Sequence, residues 1–255
     1  MNVIKAVKKY LLFAGVMLAI ITSGCGGANK LSSSGEKDDR KLLEQAEQLY
    51  NRKKYTKALQ ILDKIRYTTS VVADDAHLLT AKVYIGQHEY VLAASELKWL
   101  IGQYPNSDKQ EEASYLLGEA YRLAAPRPEL DQEYTKKAIS AFQDFMDRFP
   151  SSELADSAGR KIELCREKLA KKIYLSAELY YKMHRDSAAV IYINQIRKEY
   201  NDTQWKYWAD YLEALIRIRQ GKNDAAKMLL EGIIARCTED EKLTQKASKK
   251  LKKIQ

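Results

Sequence analysis

Glycine and proline are scarce in this sequence. The chain has 255 residues, of which 11 are glycine and 4 are proline. All-β and loop-rich proteins need these residues at their many turns, so such folds are disfavoured. Alanine, leucine, lysine, glutamate and glutamine are abundant between the few turns, and these are strong helix formers. The composition therefore predicts helix almost throughout and no sheet.

Motifs that carry catalytic chemistry are also missing. The sequence has no phosphate-binding glycine loop, no His-Glu-x-x-His, no Gly-x-Ser-x-Gly and no Cys-x-x-Cys. Its three histidines, His77, His88 and His184, have no cysteine or acidic group beside them at metal-ligand spacing. We therefore predict a protein that is not an enzyme, with no metal site and no cofactor, in which the histidines are surface or packing residues.

The sequence has no apolar run long enough to span a bilayer, and its longest apolar run lies near the N-terminus. Residues 11–21 are apolar but fall short of the ~20 residues that span a bilayer. A basic start precedes them and small residues follow, a pattern typical of a cleaved secretory signal over residues 1–24. The next residue, Cys25, ends the segment TSGC, which resembles the bacterial lipobox. We expect Cys25 to be lipidated and residues 25–38 to form a flexible, lipid-anchored tether, because they are small and polar.

Only two thiols then remain, Cys165 and Cys237. A disulfide across two distant helices cannot be inferred from two cysteines, so we expect buried free thiols.

A helical hairpin over residues 81–105 recurs along the chain. Small residues of the first helix occur at positions 46, 81, 118, 177 and 214, at intervals of 35, 37, 59 and 37. Three of these intervals are near the roughly 34-residue tetratricopeptide period. We predict an all-α fold, a tetratricopeptide-repeat superhelical solenoid of about five helix-turn-helix repeats, whose first two helices cover residues 40–52 and 55–67.

The long interval indicates an insertion and a bridging helix. Residues 125–132 contain two prolines and separate the helices of the third repeat, whereas residues 152–182 contain none and keep helical apolar spacing. We expect three front repeats over residues 39–151, and a long bridging helix with two rear repeats over residues 152–240. The insertion is either a partner contact or a neutral spacer. Trp205 and Trp208 are expected to be packing residues.

The excess of positive charge is concentrated at the C-terminus. The formal net charge is +9, and loss of the signal lysines leaves about +6. Residues 241–255 are predicted to form a basic C-terminal helix or tail, with lysines at positions 242, 246, 249, 250, 252 and 253. This segment either attracts anionic lipid or an acidic partner, or caps the repeats as a solvated helix. We expect no nucleic-acid binding, because no nucleic-acid-reading motif is present.

Several local segments together resemble one lipoprotein family. The segments are PELDQ (128–132), AISAFQDF (138–145), FPSS (149–152), CREKLA (165–170) and AELYYK (177–182). They are similar to the third repeat, long helix and fourth repeat of the BamD family, a tetratricopeptide-repeat lipoprotein of the outer-membrane β-barrel assembly machinery.

The resemblance implies a non-catalytic scaffold at the periplasmic face of the outer membrane. Its expected partners are the periplasmic domains of the barrel assembly protein, held by the rear repeats, and other assembly lipoproteins. Its front repeats are expected to receive unfolded outer-membrane proteins, and its lipid anchor to hold it on the membrane. Gly26 after Cys25 agrees with sorting to the outer membrane.

Helical register predicts which front-repeat side chains line the concave face of such a solenoid. Tyr50, Lys82, Tyr115 and Arg122 occupy inward positions on first helices. We expect the tyrosines to contact client aromatic rings. Lys82 and Arg122 are expected to bind a client's terminal carboxylate through charge-assisted hydrogen bonds.

Two other functions stay open. One is a tetratricopeptide envelope adaptor linked to peptidoglycan or cell constriction, which shares repeats such as ASYLLGEAY (113–121) but usually has an N-terminal coiled coil and no lipobox. The other is a lipoprotein that binds glycan, or a degraded enzyme, which binding to a soluble sugar or any turnover would support.

Overall fold

The computed structural model describes the backbone of residues 28–254 and the side chains of residues 35–254. Over this range the chain forms eleven helices and no strand. They are α1 (Ala28–Asn51), α2 (Tyr55–Leu62), α3 (Ala73–Gly86), α4 (Tyr90–Gln103), α5 (Gln110–Ala124), α6 (Glu133–Arg148), α7 (Ala155–Lys182), α8 (Asp186–Glu199), α9 (Trp205–Arg219), α10 (Asn223–Arg236) and α11 (Glu241–Leu251). The predicted all-α tetratricopeptide-type repeat fold is confirmed.

The turns inside the predicted repeats share one backbone feature, a residue with positive φ. Lys53, His88, His184 and Gly221 have φ values of 57°, 64°, 58° and 74°. In three of these turns the next residue donates its N–H to a carbonyl five positions earlier, at 2.8–2.9 Å, which satisfies the end of the helix. Three non-glycine residues thus occupy a conformation that costs roughly 1–2 kcal/mol.

The described residues up to Gln87 form one compact unit. Helices α1, α2 and α3 pack pairwise around a mainly apolar core that includes Ala46, Leu62 and Val83. The absence of a side chain at Gly86 leaves room for the ring of Tyr55, because a Cβ there would lie 2.6 Å from the ring carbon Cζ. Small residues therefore set how closely these helices approach.

Residues from His88 onward form the second compact unit. Each helix from α4 to α11 packs on the next one, and α7 also packs on α9. Helix α7 has 28 residues, which confirms the predicted long helix. Trp205 and Trp208 lie 5.1 and 5.9 Å from the Tyr174 ring, ring centre to ring centre, and so are packing residues as expected.

Two helix boundaries differ from the prediction. Helix α2 ends at Leu62, and the chain continues through tight turns in which Ile65 is buried, so the apolar pattern outlasts the helix. Helix α1 already begins at Ala28, inside the predicted tether, because a helix held by its packed end can extend through residues of modest propensity. The flexibility of the tether and the division at residues 151/152 stay predictions.

The signal segment and Cys25 lie outside the described residues. Cys165 and Cys237 are buried free thiols, as predicted. Among the residues that the structure describes, no helix combines enough length and apolarity to cross a bilayer.

Candidate functional site

Two of the four predicted client-binding residues lie in each compact unit. Tyr50 and Lys82 lie in the first unit, and Tyr115 and Arg122 in the second. Tyr50 is half-buried against the first core, with its ring centre 6.0 Å from that of Tyr55. Lys82 is half-buried on α3. Tyr50 thus contributes to packing as well as to the surface.

Tyr115 joins three helices. Its ring, on α5, meets Phe142 and Phe145 of α6 edge to face, with centres 5.7 and 5.5 Å apart. Its hydroxyl lies 2.9 Å from the Ser157 hydroxyl on α7. Helical register alone predicted an inward aromatic ring, but much of this ring packs against other side chains of the protein's own core.

Arg122 is held by Glu119, one helical turn earlier. Its Nε and Nη2 donate to the Glu119 carboxylate at 2.8 and 2.7 Å, so two of its three guanidinium nitrogens are engaged. Lys161 Nζ of α7 lies 3.5 Å from the same carboxylate. The cluster therefore combines two cations with one anion and keeps a net positive charge.

The pKa shifts agree with this arrangement. Burial raises the pKa of Glu119, but the hydrogen bond and charge of Arg122 and the charge of Lys161 outweigh burial, and the pKa is lowered overall. The hydrogen bond to Glu119 raises the pKa of Arg122. Burial also raises the pKa of the neighbouring Cys165 thiol, which is therefore unreactive.

Sequence reasoning missed Glu119 and Lys161. The three-residue spacing of Glu119 and Arg122 is a recognised helical ion-pair signal, so Glu119 was predictable. Lys161 lies 42 positions from Glu119 and gives no local signal.

The insertion of residues 125–132 is held against the long helix. Lys168 Nζ donates to the Ala125 carbonyl at 2.9 Å, and Lys172 Nζ donates to the Leu130 carbonyl at 2.6 Å. Burial lowers the pKa of Lys168. These two contacts hold the insertion against α7, and Leu130 within it is 48% exposed.

A charged groove lies in the rear repeats. Two open cavities, of about 560 and 240 Å³, meet where the turn between α8 and α9 faces the end of α10. Both are lined by Lys206, Tyr207 and Arg236. Cationic, acidic and aromatic groups together line this groove, which suits a polar protein surface better than an apolar small molecule.

One wall of this groove is stabilised by an ion network. Arg197 of α8 contacts Asp210 and Glu213 of α9, each at 2.5 Å, and Arg217 contacts Glu213 at 2.6 Å. Burial raises the pKa of Glu213, but hydrogen bonds from Arg217 and Arg197 outweigh it, so the pKa is lowered overall. The network fixes α8 against α9.

Residues 35–229 match the family model described as YfiO, outer membrane lipoprotein. The chain belongs to this family. The YfiO match runs from α1 into α10, so it includes all four predicted client-binding residues and most of the rear groove. Helix α11 lies beyond the matched residues.

Three relatives of this chain carry the name outer membrane protein assembly factor BamD. The protein from Rickettsia prowazekii is 25% identical over 85% of this chain and 87% of its own length. The one from Caulobacter vibrioides is 27% identical over 44% of this chain and 37% of its own. The one from Vibrio cholerae is 22% identical over 57% and 64%, respectively.

Proposed function

We propose that this protein is a non-catalytic lipoprotein scaffold of the outer-membrane β-barrel assembly machinery. The observation that carries the proposal is the similarity to the Rickettsia prowazekii assembly factor, which extends over most of both chains. The protein faces the periplasm and is anchored through acyl chains on Cys25. Replacing Cys25 by alanine should abolish acylation, which the intact mass of the protein reports.

The rear groove binds the periplasmic domains of the barrel assembly protein. The support is chemical: Lys206 and Arg236 are cations beside an open groove, and the Arg197 network keeps its wall rigid. Four acidic side chains line the two cavities as well, and preorganised charges of both signs favour association with a surface that carries a complementary pattern of charge. Other assembly lipoproteins are further partners of the same complex.

The front repeats receive unfolded outer-membrane proteins. Tyr50 and Tyr115 supply aromatic surface, and Lys82 and Arg122 supply positive charge for a terminal carboxylate. The net positive charge of the Arg122, Lys161 and Glu119 cluster supports this assignment. Because Glu119 already holds Arg122, a client carboxylate has to share or displace that contact.

Partner identity is tested by gentle purification of a tagged copy from solubilised membranes, followed by mass spectrometry. We expect stoichiometric recovery of a large β-barrel protein with periplasmic repeat domains. Lys206→Glu with Arg236→Glu should reduce this recovery, whereas the matched pair Lys57→Glu with Lys64→Glu should not. Recovery of peptidoglycan or cell-division proteins alone would favour the envelope adaptor instead.

Client binding is tested with one peptide from the end of an outer-membrane protein, made with either a free or an amidated C-terminus. The wild type should prefer the free carboxylate by about tenfold, the effect of one charge-assisted contact of roughly 1.4 kcal/mol. Lys82→Gln with Arg122→Gln should remove the preference without changing helicity. An equal preference in wild type and variant at low salt would contradict the carboxylate assignment.

A further inference from the structure

Helix α11 presents a stripe of lysines. Lys242, Lys246, Lys249 and Lys253 follow one another at intervals of four, three and four residues. At 100° per residue Lys242, Lys246 and Lys249 lie within an arc of about 60° on α11, and Lys253 lies in the turn that follows the last helical residue. All four are exposed. We call these four residues the lysine stripe.

A different side of α11 fixes the helix to the protein. Leu243 and Ala247 are fully buried in the core shared with α9 and α10. Asp240 caps the helix by accepting from the Leu243 N–H at 2.9 Å, and it also accepts from the Trp208 indole at 2.9 Å. The lysine stripe is therefore held in one orientation on a docked helix.

The charge of the stripe is not neutralised within the described part of the chain. None of its lysines forms an ion pair there, although many other cations between Arg40 and Lys227 do. Lys246 lies 4.9 Å above the Trp208 ring, an interaction that keeps its charge. Lys250 and Lys252 add two more cations, against the three acids Glu239, Asp240 and Glu241 at the start of the helix, so a positive excess remains. Such an uncompensated charge attracts an extended anionic surface.

We propose that the lysine stripe binds the anionic phospholipid headgroups of the membrane surface. Lysine is a point charge that suits a fluid array of phosphates, whereas a fixed carboxylate partner favours the bidentate arginine fork. Within residues 241–254 no large apolar side chain is exposed, so the contact is electrostatic and does not insert. Membership of a lipoprotein family also brings a membrane near, and an acyl anchor with a polybasic patch is an effective pair of signals.

The first test uses the mature chain with Cys25→Ala and without the signal residues 1–24, so that both the apolar signal and the proposed acyl anchor are absent. We expect it to float with vesicles that contain phosphatidylglycerol, but not with pure phosphatidylcholine vesicles, and to dissociate at high salt. Changing the four stripe lysines to glutamine should lower the apparent affinity by up to several hundredfold, on the order of fivefold for each lysine.

A matched control removes the same charge elsewhere. Lys54, Lys57, Lys64 and Lys98 are all exposed, and their change to glutamine should leave flotation unchanged. Circular dichroism should show equal helicity for both variants. Equal loss of flotation in both variants, or equal binding to the two kinds of vesicle, would overturn the proposal.

The second test uses the acylated protein in vesicles, with a photo-crosslinker at the exposed Gln245 beside the stripe. We expect cross-links to labelled phosphatidylglycerol. The same cross-linker is then used in native membranes. Cross-links there to an acidic protein, with none to lipid, would assign the stripe to a protein partner and overturn the proposal. Neither test depends on the barrel assembly function.

Discussion

A single methyl group at Gly118 tests the close packing of α5 on α6. A Cβ at this position would lie 2.6 Å from Cδ1 and 2.7 Å from Cε1 of the Phe142 ring. Such distances are too short for carbon atoms, so the ring has to move. Phe142 is fully buried and its ring also contacts Tyr115, so there is little space for it to move into.

The expected loss follows from two opposing effects. Forcing an additional methyl group into a packed core costs about 1–3 kcal/mol. Replacing glycine by alanine within a helix returns about 1 kcal/mol. Gly118→Ala should therefore lower the free energy of unfolding by up to about 2 kcal/mol.

Gly159→Ala is the matched control in the same compact unit. This glycine is also helical, but nothing lies within 4 Å of its added Cβ, so the variant should gain roughly 0.5–1 kcal/mol. Urea unfolding followed by circular dichroism should therefore separate the two variants by about 1–3 kcal/mol. Phe142→Leu should restore part of the loss in the Gly118→Ala background. Equal stability of the Gly118 and Gly159 variants would refute the packing argument.

Three further predictions concern the turns, the ion network and the Tyr115 contact. Lys53→Gly should raise the free energy of unfolding by about 0.5–1 kcal/mol in thermal unfolding because it relieves the positive φ, and Gly221→Ala should lower it by about 1–2 kcal/mol. The lowered pKa of Glu213 means that its contribution to stability is present above its ordinary pKa of 4.5 and is lost as the pH falls through the lower folded value. Glu213→Gln should therefore be less stable than wild type at pH 7, and the difference should shrink in acid. Tyr115→Phe should cost about 1 kcal/mol through loss of the Ser157 contact, with client-peptide affinity unchanged because the ring remains.

Each of these has an outcome that would contradict it. A Lys53→Gly protein no more stable than wild type would mean that the turn is not strained. A Glu213→Gln protein with the wild-type pH dependence would show that this carboxylate does not contribute to acid unfolding. Loss of peptide binding in Tyr115→Phe would give the hydroxyl a direct role at the site.

Helical periodicity predicted the repeats because the same apolar spacing determines which faces are buried. It predicted the long helix α7 well, since no proline or glycine turn interrupts its apolar positions. It placed the end of α2 too late, because Ile65 is buried from a tight turn and keeps the pattern without the helix. The start of α1 depends on propagation from a packed end, which composition alone does not report.

The site was less predictable than the fold. Register predicted that Tyr115 and Arg122 face inward, but it did not show how far they are engaged with Phe142 and Glu119. Contacts such as that between Tyr115 and Ser157 join residues 42 positions apart, and only the packing of three helices brings them together.

The two lysines that hold the insertion have a consequence for loop length. Lys168 and Lys172 lie one helical turn apart, about 6 Å along α7, and each binds one carbonyl of the insertion. Only a loop with matching carbonyl separation can satisfy both amines. A surface loop usually tolerates added or deleted residues, but here the spacing of the two lysines on α7 restricts the length of the loop. Lengthening the insertion would require a different lysine spacing on the helix, so the two segments are expected to change together or not at all.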